Sequence, residues 1–209
     1  MSESTVSGAD RLLELIVVLL LGITTVGTAW CGFQAARWNG YSGDLTRISS
    51  EQHVEGARLF GLATQGVTYD SMVVAKYAEA SQAGNTELMT FYRRSVVRPA
   101  FLPVLNRWEA SVKAGGAPVG VFDDKEYLAA QFAPYQKTVA AAEQATRDSQ
   151  AASDVANGYV GTTILLAVAL FFAGVTSSFR YRPARLLLLI AATGTVALAA
   201  ARIADLPLR

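Results

Sequence analysis

The stretch LIVVLLLGITTVGTAWCGFQAA, residues 15–36, carries no Asp, Glu, Lys or Arg between Glu14 and Arg37. A helix needs about 20 mostly apolar residues to cross about 30 Å of hydrocarbon, so this stretch alone predicts a membrane span. Two more uncharged stretches follow, between Asp154 and Arg180 and between Arg185 and Arg202. The first of these is long enough outright. The other rises only about 24 Å at 1.5 Å per residue. Arg185 and Arg202 can make up that deficit by reaching back to the two interfaces. The expected fold class is therefore all-α: an integral membrane protein with three transmembrane helices and an antiparallel helical bundle outside the membrane.

The boundaries follow from the charges. Residues 1–11 form a tail, 12–33 the first span, 34–154 an extramembrane helical region, 155–179 the second span, 180–185 a basic turn, 186–202 the third span and 203–209 a short tail. Ser7 can cap the first helix, with Asp10 three residues on. Trp30 and Phe33, with Trp38 and Tyr41 beyond, are placed as an aromatic belt. Gly27-Thr28-Ala29 offers a small-residue cleavage pattern, but the apolar run continues past it and the flank carries Asp10 and Glu14. A retained anchor is expected rather than a signal peptide. Cys31 is the only cysteine. It is expected as a small residue in a helix interface, not a lipidation site, because Trp30 precedes it.

The turn between spans two and three holds Arg180, Arg182 and Arg185 and no acid. Short basic loops stay in the cytoplasm, so these three arginines set the topology. The N-terminus is then cytoplasmic, and the middle region and C-terminus lie outside. Small residues recur four apart in the spans: Thr28 and Gly32, Ala169 and Ala173, and Ala191, Thr195 and Ala199. They allow close helix approach, within one chain or between copies. No span carries a charge at its middle, which argues against a self-contained pump.

Over the whole chain the net charge is +1 and 52% of residues are apolar. The middle region has no large single-sign field, so nucleic acid is not expected as a partner. A long helix is expected from about 44 to 83, with Leu45, Ile48, Leu59, Leu62, Tyr69, Val73 and Ala80 as its apolar stripe, on which Gln52, Glu55 and Gly66 also fall. Gly40 and Gly43 are expected to interrupt the exit from span one. Gly84 reads as a stop and Asn85 or Thr86 as the next cap. A helix over 86–97 is broken by Pro99 and Pro103. Another resumes near Pro103 and ends by Ala114, before the loop 115–120. Asp123, with Glu126 three residues on, marks a further start. Leu128, Phe132, Tyr135, Val139 and Ala142 then form a stripe on a helix expected to run straight into span two.

The stretches Asn85-Thr86-Glu87-Leu88, Val97-Arg98-Pro99-Ala100-Phe101, Arg107-Trp108, Glu126-Tyr127, Asn157-Gly158-Tyr159-Val160 and Leu170-Phe171-Phe172-Ala173-Gly174 resemble those of a family of uncharacterised bacterial membrane proteins. The order of one N-terminal span, a helical middle and a terminal span hairpin also matches, over nearly the whole chain. The resemblance implies the three-span topology and brings no activity with it.

Candidate chemistry is sparse. Arg94 and Arg98 lie four apart with Arg93 alongside, which suggests either an anion or partner contact or a solvated basic face paired with Glu87. Trp38 and Trp108 read as packing residues, and the lone His53 as structural or exposed. Asp123, Asp124 and Glu126 are explained by capping at a helix start. No nucleophile elbow, zinc motif, phosphate loop or dinucleotide fingerprint occurs. No catalytic, metal or cofactor-binding residue is therefore expected, nor any cofactor, and an enzyme is not the favoured reading. The expected role is a non-catalytic scaffold or interaction component with a protein partner or its own copies. The alternatives are an extracytoplasmic ligand-sensing module or a subunit of an oligomeric pore or transport complex.

Overall fold

The structure is a computed structural model that describes residues 8–116, 120, 123–176, 178–179 and 181–209. Ser7, Arg180 and the middle of the expected 115–120 loop lie outside the described residues. No strand occurs among them. The elements are α1 (Gly8–Gln82), α2 (Thr86–Phe91), a π-helical turn (Tyr92–Val96), a 3₁₀ turn (Pro99–Phe101), α3 (Leu102–Lys113), α4 (Lys125–Thr176) and α5 (Arg182–Asp205). Three of these, α1, α4 and α5, are long and apolar enough to cross a membrane. The chain divides into two units, residues 1–47 with 145–209, and residues 48–144.

The first unit joins the three apolar stretches and also takes in residues 34–47 and 145–154. Its interior is built from small residues. On α4 the buried positions are Ala145, Ser149, Ala152, Ala156, Tyr159, Thr162, Leu166, Ala169, Ala173 and Thr176, three or four apart throughout. That spacing keeps one face of a helix turned inward. Val17, Leu20, Thr24, Cys31, Gln34 and Ala35 are the buried positions of α1 here, and Leu189, Ala192 and Ala199 those of α5. Val17, Leu20, Ala173, Leu189 and Ala192 form one cluster, and Cys31, Ala35, Tyr159, Leu166 and Ala199 another. Cys31 thus occupies a helix interface, as expected. Gly32 does not: a Cβ there would meet nothing within 4 Å. The buried Thr162 and Thr176 hydroxyls donate to Gly158 O at 2.9 Å and Phe172 O at 2.8 Å. Each is satisfied inside its own helix, so it can sit in an apolar seam.

Many large apolar side chains of this unit point outward. Val26 is 71% exposed, Leu187 69% and Phe171 63%. A water-soluble bundle places such residues inside and small or polar ones outside.

Two expectations about α1 are corrected. Gly40 and Gly43 do not interrupt the helix, which continues unbroken through both. Around them, Ser42 Oγ donates to Ser149 O at 2.9 Å, and Thr46 Oγ1 lies 2.8 Å from Ser149 Oγ. Such fixed contacts offset the roughly 1 kcal/mol each glycine costs in a helix. In the second unit, the inward stripe of α1 agrees with the expected one at Gly66, Val73 and Ala80 and departs from it at Ile48, Leu62 and Tyr69. Ile48, Leu62 and Tyr69 are exposed, while Gly56, Ala63, Gly66, Val67, Asp70, Val73, Tyr77 and Ala80 are buried.

Punctuation signals were legible. Gly84 takes φ +67°, the left-handed conformation that favours glycine at a helix end. The Asn85 side chain accepts the Leu88 N–H at 2.9 Å. The expected 86–97 helix is shorter, because α2 ends at Phe91 and widens into the π turn, where Val97 N–H donates to Tyr92 O at 2.9 Å. At the start of α4 the cap is Asp124 rather than Asp123: Asp124 Oδ1 accepts the Tyr127 N–H at 2.9 Å. Asp123 instead accepts the Gly120 N–H at 3.1 Å.

Candidate functional site

The centre of the second unit is a cluster of Val67, Val73, Tyr77, Val97, Phe101, Val104, Leu105, Trp108 and Tyr127. One carboxylate lies inside it. Asp70 is fully buried. An isolated ionised carboxylate in such a place costs several kcal/mol, so its partners decide whether it is tolerated.

The first partner comes from a break between helices. Pro99 disfavours helix at the residue before it, and Arg98 is accordingly extended at φ −67°, ψ 143°. Arg98 Nε donates to Asp70 Oδ1 at 2.9 Å and Nη2 to Asp70 Oδ2 at 2.5 Å. The bidentate geometry matches the guanidinium fork to the carboxylate. The buried Tyr127 hydroxyl donates to Asp70 Oδ2, also at 2.5 Å. Gly66, one turn before Asp70, gives the guanidinium its room. A Cβ at that position would lie 2.7 Å from Arg98 Nη2 and 2.8 Å from Nη1.

The charges reinforce one another. Asp70 holds the Arg98 proton more tightly than usual through this hydrogen bond, against the opposing effect of burial. Burial, and then the bond to Asp70, push the Tyr127 phenol upward.

A second cluster adjoins it. Glu109 Oε1 accepts the Tyr77 hydroxyl at 2.6 Å and Arg93 Nη1 at 2.7 Å, while Arg93 Nη2 donates to Asn106 Oδ1 at 2.6 Å. Tyr77 also meets Trp108 edge to face, with ring centroids 5.9 Å apart. Burial, then the hydrogen bond to Glu109, raise the Tyr77 phenol from 10.0 to about 12. A third pair closes the start of α4: Arg107 donates to Asp124 Oδ2 through Nε at 3.0 Å and Nη2 at 2.5 Å.

No family model, curated protein or solved structure matches this chain.

The three arginines singled out from sequence part company. Arg98 serves Asp70 and Arg93 serves Glu109, while Arg94 is exposed. They do not share one α-helical face, because the π turn and the extended Arg98 intervene. Glu87 partners neither Arg93 nor Arg98 in the ion pairs described. Of the topology arginines, Arg182 and Arg185 lie in the first turn of α5. Trp108 is buried in the core, and His53 is exposed. Sequence reasoning missed Asp70, Tyr127, Tyr77 and Glu109. Arg93, Arg98 and the helix break at Pro99 were the features that pointed toward this site.

The raised phenols give a pH signature. An unfolded Tyr77 ionises near pH 10, while the folded one holds its proton to about 12. Above pH 10 the unfolded chain therefore binds fewer protons, and stability falls as pH rises through that window. Tyr127 acts in the same direction. Urea midpoints of the detergent-solubilised chain should be insensitive to these groups below pH 9 and drop between pH 10 and 12. Tyr77→Phe should show a shallower drop. An identical slope in wild type and Tyr77→Phe would show that Tyr77 is not responsible.

Proposed function

We propose that this protein is an integral membrane scaffold, in which α1, α4 and α5 span a bilayer and the unit 48–144 serves as a non-catalytic protein-contact module. Support for the membrane comes from the inside-out first unit. Small residues make up much of its interior and many large aliphatic and aromatic ones face outward, the pattern of helices that associate in lipid without a hydrophobic drive. The observation that carries the contact role is the fate of the charges at the centre of the second unit. Asp70, Glu109 and Asp124 are each engaged by an arginine of the same unit, and two of them also by a buried phenol. Charges arranged this way fix a shape. Acid–base chemistry instead needs a group aimed at a place where substrate can sit.

On this proposal the basic turn before α5 is cytoplasmic and the middle region faces outward across a bacterial inner membrane. Single cysteines test it in a Cys31→Ser background. Glu87→Cys should react with a membrane-impermeant maleimide on intact spheroplasts, and Ser178→Cys only after permeabilisation. The reverse labelling would invert the topology. Recovery of the chain as a soluble monodisperse species without detergent would remove the membrane altogether. The contact role is tested by purification in mild detergent, where a stoichiometric partner or a defined oligomer is expected and a monomer alone counts against it.

A second reading, ligand sensing, is favoured by one feature. A hollow of about 270 Å³ is lined by Tyr77, Ser81, Met89, Trp108, Glu109 and Lys113, among others. A small-molecule library that raises the melting temperature of wild type but not of Glu109→Gln would move the assignment there.

A further inference from the structure

The segment after α5 folds back onto the first unit and seats a cation on two aromatic rings. Trp38 and Tyr41, both on α1, meet edge to face with centroids 6.2 Å apart. The Arg209 guanidinium carbon lies 3.3 Å from the Tyr41 ring centroid and 5.3 Å from that of Trp38. Both distances fall within the roughly 6 Å at which a ring's negative face attracts a cation. The guanidinium forms no ion pair among the described residues, so these two rings supply the described attraction.

The rest of the segment is held by other means. Pro207 O accepts the Trp38 Nε1–H at 3.1 Å and the Tyr159 hydroxyl at 3.1 Å. The Arg209 N–H donates to Oε1 of the buried Gln34 at 3.2 Å. Leu206 packs on the cluster of Cys31, Ala35, Tyr159 and Ala199, and lies close enough over Gly158 that a Cβ there would come within 2.9 Å of its Cδ2. None of these anchors uses the guanidinium. Removing the side chain should therefore vacate the rings and leave the strap in place.

We infer that Trp38 and Tyr41 form a binding site for an organic cation of the guanidinium or quaternary ammonium class, filled in cis by Arg209. The seated guanidinium stands in for that ligand. Ring faces without a carboxylate select a weakly hydrated cation over sodium, whose hydration shell they cannot replace. Tethering gives Arg209 an effective concentration in the millimolar range or above, so a free cation competes poorly until the side chain is withdrawn. The site is thus self-closed, and any event that lifts the strap opens it. It does not depend on how the second unit acts.

Tetramethylammonium chloride is the probe, titrated into the full chain in detergent against sodium chloride at equal concentration, with tryptophan emission as the readout. Arg209→Ala and Arg209→Gln should each give a saturable change, with half-saturation at roughly tens of millimolar as expected for two cation–π contacts, and at least about fivefold larger than wild type. The change should vanish when Trp38→Phe is added to Arg209→Ala. Variants that respond no more than to sodium chloride, a wild type that responds equally, or a response that survives Trp38→Phe would each overturn the site. Loss of helical circular dichroism in both Arg209 variants would overturn it as well, since the strap would then depend on the guanidinium.

Discussion

Replacing Arg98 with alanine is expected to remove about 3–5 kcal/mol of stability from the second unit, the usual cost of orphaning a buried charge. The cause is what remains rather than what is lost. Asp70 stays fully buried, with the Tyr127 hydroxyl as its one remaining donor among the described contacts. Its charge is then left without a counter-ion. The reciprocal change is predicted to be milder. The Arg98 side chain is 35% exposed, so water can solvate it when Asp70→Ala removes its partner. The double variant Asp70→Ala/Arg98→Ala should be more stable than Arg98→Ala alone, because no charge is stranded. Urea unfolding of the detergent-solubilised chain, followed by the near-ultraviolet signal of the buried Trp108, measures all three. If Arg98→Ala lost less than Asp70→Ala, the buried carboxylate would not be the costly member.

The same residues show where sequence is informative and where it is silent. The three apolar helices were legible because absence of charge over a long window is a property of each segment alone. Helix ends were legible for a similar reason: Gly84, Asn85 and Pro99 act on their own backbone neighbours. The inward face of α1 beyond residue 48 was not. Apolar periodicity favoured Ile48, Leu62 and Tyr69, but the helix turns Gly56, Ala63 and Asp70 inward instead. Small residues carry little hydrophobic signal, and an aspartate reads as a surface residue. Asp70 is buried only because Arg98 and Tyr127, 28 and 57 residues away, satisfy it. Nothing in the spacing of the chain announces that meeting. The stripe Leu128, Phe132 and Tyr135 on α4 was legible, and its rings pack inside the unit: Phe60 meets Phe132 at a tilt and Tyr135 edge to face, with centroids 5.7 and 5.2 Å apart. Phe60 itself was absent from the expected stripe.

Gly66→Ala gives the sharpest test of that inward face. In an unobstructed helix position, glycine to alanine gains about 1 kcal/mol through lower backbone entropy cost. Gly61 is such a position, because a methyl group added there would meet nothing within 4 Å. Gly66 is not, because the methyl would come 2.7 Å from Arg98 Nη2 and 3.0 Å from its Cζ. The guanidinium ends a flexible chain and can move aside, but any such movement breaks its two bonds to Asp70. Gly66→Ala is therefore expected to cost about 2 kcal/mol net, within the range for disrupting a buried ionic network. Its effect must depend on Arg98. In an Arg98→Ala background the obstruction is gone, and the same substitution should become neutral or stabilising, a coupling of about 2–3 kcal/mol. Gly61→Ala should be mildly stabilising in both backgrounds. Equal gains from Gly61→Ala and Gly66→Ala in the wild-type chain would mean that α1 does not present Gly66 to Arg98, and the buried clasp around Asp70 would fall with it.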